Sequence, residues 1–358
     1  MRSDPNLRQF RYIGQPARVI FEAGALTRVD DEAALLGLQR ALVLSTPGQH
    51  ALAARVSMLL GTRSVGVCAT AVMHVPNDVA AHAVAQAKSL AADGLIAIGG
   101  GSTVGLAKAI ALDTGLPIIA IPTTYAGSEM TTVYGITSGA VKRTGKDAKV
   151  LPRTVIYDPD LTLALPSAIS AVSGLNALAH AAEGLYAEDA NPIMSLMAEE
   201  AIRVLASGLK RVVQAPQDRV ARSDCLYGAW LCAMVLGSVG VALHHKLCHT
   251  LGGTFNLPHA ETHSVILPYA IAYNAPAAPQ AMAAIARALG VPDAVLGLFD
   301  LGTQLGTPRS LQALGLKVSD LDRAADLAVT NAYWNPRVVE REGVRQLLEA
   351  AFYGRVPG

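Results

Sequence analysis

The sequence predicts an α/β domain built on a parallel sheet over residues 1–163, followed by an all-α domain over residues 164–358. Three observations carry this. Short unbroken apolar runs alternate with Ala- and Leu-rich stretches as far as Tyr157. Strands buried on both faces read as continuous apolar runs, and helical crossovers between them make the sheet parallel. After Asp158-Pro159-Asp160 the alternation stops, and Ala, Leu, Met and Glu recur at helical spacing, punctuated by Pro and Gly. The length, 358 residues, suits two domains of about 100–200 residues each.

Taken in order, Ala17–Phe21 is expected as a strand near the sheet edge. Arg40–Ser45, Ser64–Cys68, Leu95–Gly99, Pro117–Pro122 and Thr154–Tyr157 follow as further strands. In the second half Ile193–Leu205 and Ala281–Leu289 read as amphipathic helices, and Ser167 and Ser173 as N-caps near the domain's start.

Hydrophobic residues make up 51% of the chain and charged ones 16%, so a large core is easily filled. The net charge is +1 and there is no long basic run, which argues against a nucleic-acid or membrane-surface role driven by counterion release. The first ten residues lack an apolar segment, so no signal peptide is expected. The run around Leu226–Leu243 comes nearest to a membrane span, and its Gly and Ala content reads as a buried core helix. Cys68, Cys225, Cys232 and Cys248 fit neither a disulfide framework nor a zinc ribbon, so reduced thiols and a cytoplasmic location are expected.

Residues 95–109 read LIAIGGGSTVGLAKA: an apolar strand runs into Gly99-Gly100-Gly101-Ser102 and a helix starts at once. Backbone N–H groups at a helix N-terminus bind anions, and consecutive glycines let a pyrophosphate approach closely. The loop is neither G-x-G-x-x-G nor a P-loop, and a tight strand-to-helix turn would use the same residues. A second loop, IPTTYAGSE at 121–129, follows the next strand and supplies Thr123, Thr124 and Ser128. Two such loops form a crevice at the carboxyl edge of a parallel sheet, as in Rossmann-like dinucleotide-binding domains.

Five of the nine histidines, His244, His245, His249, His259 and His263, fall within residues 244–263. His245 and His249 are four apart and share a helix face, as do Asn176 and His180 upstream. Two such pairs on facing helices can surround one metal ion or one substrate.

Together these segments, with SGLNALAHAAEG at 173–184 and HHKLCHTLGGTFNLPHAETHSVILPY at 244–269, resemble the iron-containing alcohol dehydrogenase superfamily over most of the chain. The resemblance implies the dehydroquinate synthase-like, iron-containing alcohol dehydrogenase fold, with the active site between its two domains. It implies that Gly100, Gly101, Ser102, Thr123, Thr124, Thr131 and Lys149 lie along a nicotinamide cofactor. It maps the metal ligands of metal-dependent members onto Asn176, His180, His245 and His259, and a further catalytic histidine onto His249. Two positions depart from the pattern: Asn176 and Gly105 stand where aspartates are expected. A neutral amide is a weaker ligand than a carboxylate, so the expectation is a vestigial metal site that works without metal.

These departures, with His244-His245-Lys246 and the segment GITSGAVKRTGKDAKVLP at 135–152, look like the maleylacetate reductase branch. That branch implies reduction by NADH or NADPH of the carbon–carbon double bond of maleylacetate to 3-oxoadipate, in aromatic and chloroaromatic (chlorocatechol) degradation. Some members also accept 2-chloro-substituted substrates, and a homodimer is implied. For a dicarboxylate substrate, Lys246 and His244 are the expected contacts, with Lys142, Arg143 and Lys146 as further cations. No acidic residue follows strand Leu42–Leu44, where Ser45-Thr46-Pro47 stands, so both NADH and NADPH are expected to serve. A metal-dependent alcohol or polyol dehydrogenase tolerating Asn176 is the alternative enzyme, and a metal- or dinucleotide-binding sensor the non-enzymatic one.

Overall fold

The computed structural model describes residues 18–138, 141–330 and 333–358, with Tyr12 and Gly14. Six strands form one fully parallel sheet: β1 (Arg18–Phe21), β2 (Ala41–Leu44), β3 (Ser64–Cys68), β4 (Gly94–Gly99), β5 (Ile118–Pro122) and β8 (Thr154–Tyr157). Their spatial order is β1-β8-β5-β4-β2-β3. Between β5 and β8 a separate antiparallel hairpin, β6 (Val133–Ser138) and β7 (Val141–Lys146), stands off the sheet. The first expected strand is observed at the sheet edge from Arg18; Ala17 and the N-terminal ten residues lie outside the described residues.

The apolar runs become strands because both sheet faces are covered. Val43, Ile96 and Ile119 stand side by side on one face, packed with Val29, Ala33, Ala53 and Val56 of α1 (Val29–Leu35) and α2 (His50–Leu60). Leu42 and Leu95 face the other way, onto α3 (Asn77–Ser89) and α4 (Gly101–Thr114). Each fully buried aliphatic side chain of this kind contributes about 1.5–3 kcal/mol.

Among the described residues from Ser167 on there are helices and no strands: α5 (Ser167–Gly184), α6 (Pro192–Gln214), α7 (Arg219–Ser238), α8 (Leu243–Phe255), α9 (His259–Asn274), α10 (Pro279–Leu289), α11 (Ala294–Gln304), α12 (Leu321–Val329) and α13 (Arg341–Tyr353). The helices α5–α7 share one core with Val104, Ala120, Val155 and Tyr157, so they are seated on the sheet rather than tethered to it.

Three expectations are corrected. Ser173 lies inside α5, where its hydroxyl accepts from the Tyr125 N–H at 3.0 Å, and Ser167 is the first helical residue behind Pro166 rather than a cap. The run Leu226–Leu243 is no single helix: α7 stops at Ser238 and α8 leaves at 96° to it. The stretch Pro279–Gln304 is long and apolar enough to cross a membrane, yet it breaks into α10 and α11 at Gly290, whose φ of 69° ends the first helix. Arg143 and Lys146, expected as further cations, belong to β7 and are exposed there. The Lys142 side chain lies outside those described.

Candidate active site

The order of the sheet reverses between β2 and β4: after β2 the chain moves outward to β3, then returns to β4 on the other side. Open parallel sheets bind ligands outside the strand carboxyl ends at such a point. Here the ends of β2, β4 and β5 present Ser45–Gln49, Gly99–Ser102 and Thr123–Met130. Glycine is required where these loops meet. Gly99 has φ 153°, and a Cβ there would lie 2.3 Å from the Thr103 hydroxyl. A Cβ on Gly100 would lie 2.9 Å from the Thr124 hydroxyl, so the two loops touch because it is absent. No side chain caps α4, which leaves the N–H groups at Gly101 and Ser102 for an anion.

The expected cofactor residues separate into two groups. Gly100, Gly101, Ser102 and Thr124 are half-buried around the crevice. The other hydroxyls are already engaged. Thr123 accepts from the Gln49 side-chain amide at 2.9 Å, Ser45 is fully buried and donates to the Thr46 carbonyl, and Thr131 is held by Lys108. All three are buried. Lys149 is exposed on a short turn packed against α4, its N–H held by Asp147.

Lys108 escapes a sequence reading. Its ammonium is buried on α4 and donates to the Thr131 carbonyl (2.8 Å), the Thr131 hydroxyl (2.9 Å) and the Val133 carbonyl (2.7 Å). Burial lowers its pKa to about 7, with the Glu129 carboxylate acting the other way. Glu129 accepts from the Tyr157 hydroxyl at 2.9 Å, and burial pushes its own pKa up.

The histidines converge as the spacing suggested. Helix α5 supplies Asn176 and His180, α8 supplies His244, His245 and His249, and α9 supplies His259 and His263. The His180 and His245 rings stack at 5.0 Å, His245 and His263 lie 5.1 Å apart, and His259 and His263 lie 4.4 Å apart. His249 is exposed, 6.0 Å from His245 and 6.4 Å from His259. The cluster reaches the crevice at Gly127. With φ 85° this glycine sits where a Cβ would be 3.4 Å from His180 Nδ1.

Glu183 organises the cluster. It is fully buried and accepts from the backbone N–H of Ala242 (3.0 Å) and of His244 (2.8 Å), and it pairs with His245 Nδ1 at 2.6 Å. That leaves His245 Nε2 as the free ring nitrogen. His245 Nε2, His180 Nδ1, His263 Nε2 and Asn176 Oδ1 are all buried without a hydrogen-bond partner. An unpaired buried polar atom costs about 1–3 kcal/mol, so this concentration marks a place built to receive something polar. Burial, reinforced by the neighbouring imidazoles, pulls His180, His244 and His263 well below the ordinary histidine range, so these three are neutral at pH 7.

Two substrate contacts expected from sequence are placed elsewhere. His244 is fully buried behind His245, with its Nε2 on His263 Nδ1 at 2.9 Å and Cys248 Sγ at 3.7 Å. Lys246 leaves α8 on another side, where its ammonium donates to the Thr330 carbonyl at 2.9 Å and lies over the Tyr333 ring. Lys246 is the next residue after His245, and on a helix that one step is about 100° of rotation.

Residues 16–159 match the family model for iron-containing alcohol dehydrogenase, and residues 170–352 match that for the C-terminal part of the Fe-containing alcohol dehydrogenase family. The chain belongs to the iron-containing alcohol dehydrogenase family. It is 59% identical to a maleylacetate reductase of Burkholderia cepacia over 97% of this chain and 99% of that one. It is 55% identical to a maleylacetate reductase of Sphingobium indicum over 98% and 99% of the two chains. The crystal structure of maleylacetate reductase from Agrobacterium tumefaciens superposes with a TM-score of 0.95 at 52% identity, covering 98% of this chain and 100% of that one. The protein is thus an oxidoreductase of this family.

The metal of the family's name can be tested against the donors present. Asn176 offers a neutral amide oxygen where the pattern calls for a carboxylate. Among the described His, Cys, Asp and Glu residues, the trio whose ligand atoms lie within 4.8 Å of one another is His244, Cys248 and His263. Its two imidazoles already hydrogen-bond to each other. Among the described residues His180, His245 and His259 form no such group, and the position mapped to a carboxylate holds a neutral amide, which is a weaker ligand for a divalent ion.

Proposed function

We propose that the chain reduces the carbon–carbon double bond of 2-maleylacetate to give 3-oxoadipate, with NADH or NADPH as reductant, and that chloro-substituted analogues are also accepted. The reading is supported by the identity with relatives named maleylacetate reductase over nearly the whole chain. The observation that carries it in the structure is the cluster of unpaired buried imidazole and amide atoms meeting the crevice at Gly127, with a neutral Asn176 among them.

When bound, the nicotinamide supplies a hydride to the carbon β to the substrate ketone. Gly100, Gly101, Ser102 and Thr124 would hold its phosphates and sugars. Conjugate addition develops an enolate, which is far less basic than the alkoxide formed on reducing a ketone, so hydrogen bonds can stabilise it where an alkoxide needs a Lewis acid. His245 or His249 donates to the enolate oxygen, and a nearby histidine or water delivers a proton to the α carbon, which restores the ketone of 3-oxoadipate. Because Glu183 holds Nδ1, His245 could donate only through Nε2, and only when that nitrogen carries a proton as well; His249 would act from its exposed position. A positioned acid of this kind contributes about 10²–10⁴-fold. On this reading the enzyme does not require a metal, which rests on the donor set and not on its family. A dicarboxylate would reach Lys246 only by displacing the Thr330 contact.

Absence of an acidic residue among Ser45, Thr46 and Pro47 supports use of both cofactors. The domain division falls in our reading between residues 163 and 164, and the enzyme works as a cytoplasmic homodimer on a free small molecule. The test is loss of NADH absorbance with maleylacetate against simple aldehydes, each with and without a chelator. Turnover of maleylacetate alone, insensitive to chelation, is expected. Aldehyde turnover abolished by the chelator would favour a metal-dependent alcohol dehydrogenase.

A further inference from the structure

We infer that Glu183 is a positioning residue of the active site, which fixes the ring of His245 and, through His244, that of His263; the catalytic part rests on the proposed function above. Glu183 is one helical turn from His180 on α5 and is fully buried, yet it has no Lys or Arg partner among the described residues. Its two oxygens are instead met by three N–H groups from the start of α8. Oε2 takes the Ala242 amide and His245 Nδ1, and Oε1 takes the His244 amide.

Ala242 and His244 bracket the first residue of α8, whose leading N–H groups have no partner within the helix. Glu183 therefore caps α8 from a neighbouring helix. Because the same carboxylate oxygen also receives His245 Nδ1, the cap and the ring are set by one atom. His245 then has one allowed tautomer when neutral, with hydrogen on Nδ1 and the Nε2 lone pair left buried and unpaired. The second branch runs from the His244 amide to its own ring, whose Nε2 pairs with His263 Nδ1. The other nitrogen of His263, Nε2, is buried without a partner, as His245 Nε2 is.

A glutamine cannot replace this arrangement. It has one carbonyl oxygen for three donors, so either the His244 amide or the Ala242–His245 pair would face an NH₂ group. Glu183→Gln is expected to keep NADH affinity and the KM for maleylacetate while lowering kcat by about 10–100-fold. In a His245→Gln background the same change should lower kcat by much less, because the branch through that ring is already lost. Selective ¹⁵N labelling of histidine in the unsubstituted enzyme should show the neutral ring of His245 (assigned by its loss in His245→Gln) with hydrogen on Nδ1.

An Nε2–H tautomer for His245 would overturn the inference, and this measurement stands even if Glu183→Gln does not fold. So would equal losses of kcat in the two backgrounds, or a loss of NADH affinity in step with kcat, which is the mark of a purely structural cap. Failure of the unsubstituted enzyme to turn over maleylacetate would instead sink the functional reading and leave the tautomer result untouched.

Discussion

Gly100→Ala probes how the crevice is made. Its backbone, at φ −89°, is one that alanine adopts freely, so the substitution carries no intrinsic strain. The effect comes from the new methyl alone, which would lie 2.9 Å from Thr124 Oγ1, 3.0 Å from its Cγ2 and 3.6 Å from its Cβ. The first two distances are inside contact range, and a β-branched side chain has few rotamers with which to escape. The PTTYAGSE loop must therefore shift. Overpacking of this kind costs about 1–3 kcal/mol, which is about 5–150-fold in an equilibrium constant. Because the shifted loop forms one wall of the crevice, the penalty should appear in the dissociation constant of NADH, measured by quenching of protein fluorescence. Thr124→Ala removes both close atoms and leaves a methyl–methyl distance of ordinary contact. Gly100→Ala should then cost little when added to Thr124→Ala, and the pair should show strong coupling. Unchanged NADH binding in Gly100→Ala, or equal penalties in the two backgrounds, would refute the claim that the two loops meet through the missing Cβ.

Other outcomes follow from the same geometry. Asn176→Asp places a carboxylate one helical turn from His180, and should raise the zinc or iron retained after dialysis, read by elemental analysis, while the unsubstituted enzyme retains little. His249→Ala should lower kcat by about 10²-fold or more if that residue supplies the proton; near-normal turnover removes it from the mechanism. Lys108 has its pKa depressed by burial to about 7, so between pH 7 and the unfolded lysine value the unfolded chain binds the extra proton. Stability relative to Lys108→Met should accordingly rise as pH increases through this window, by at most about 1.4 kcal/mol per pH unit, measured by denaturant unfolding. A difference independent of pH from 7 to 9 would mean that Lys108 stays charged in the fold.

The parallel sheet was legible because its central strands are buried on both faces. Leu42–Leu44, Leu95–Ile98 and Ile118–Ile121 have no polar residue to confuse the reading. The hairpin was not legible: Gly135 and Gly145 interrupt it, and Lys142, Arg143, Thr144 and Lys146 leave too few apolar positions for a period of two to show. In the site, helical spacing exposed Asn176 with His180 and His245 with His249. Glu183 was missed because a lone carboxylate in an Ala-rich helix usually reads as a solvated position; its place three residues after His180, on the same face, was the available signal. Lys108 hid in the same way, as a cation in a helix whose burial only the fold reveals. For Lys246, adjacency in sequence suggested adjacency in space, and the rotation of the helix prevents it.

The central claim is that hydride goes to the carbon β to the ketone and not to the carbonyl carbon. Turnover of maleylacetate with NADH deuterated at the transferred position, followed by NMR of the product, tests this directly. The account predicts 3-oxoadipate with one deuterium on the methylene next to the carboxylate distal from the retained ketone's acetate arm. A hydroxy acid with deuterium on the carbinol carbon would contradict it.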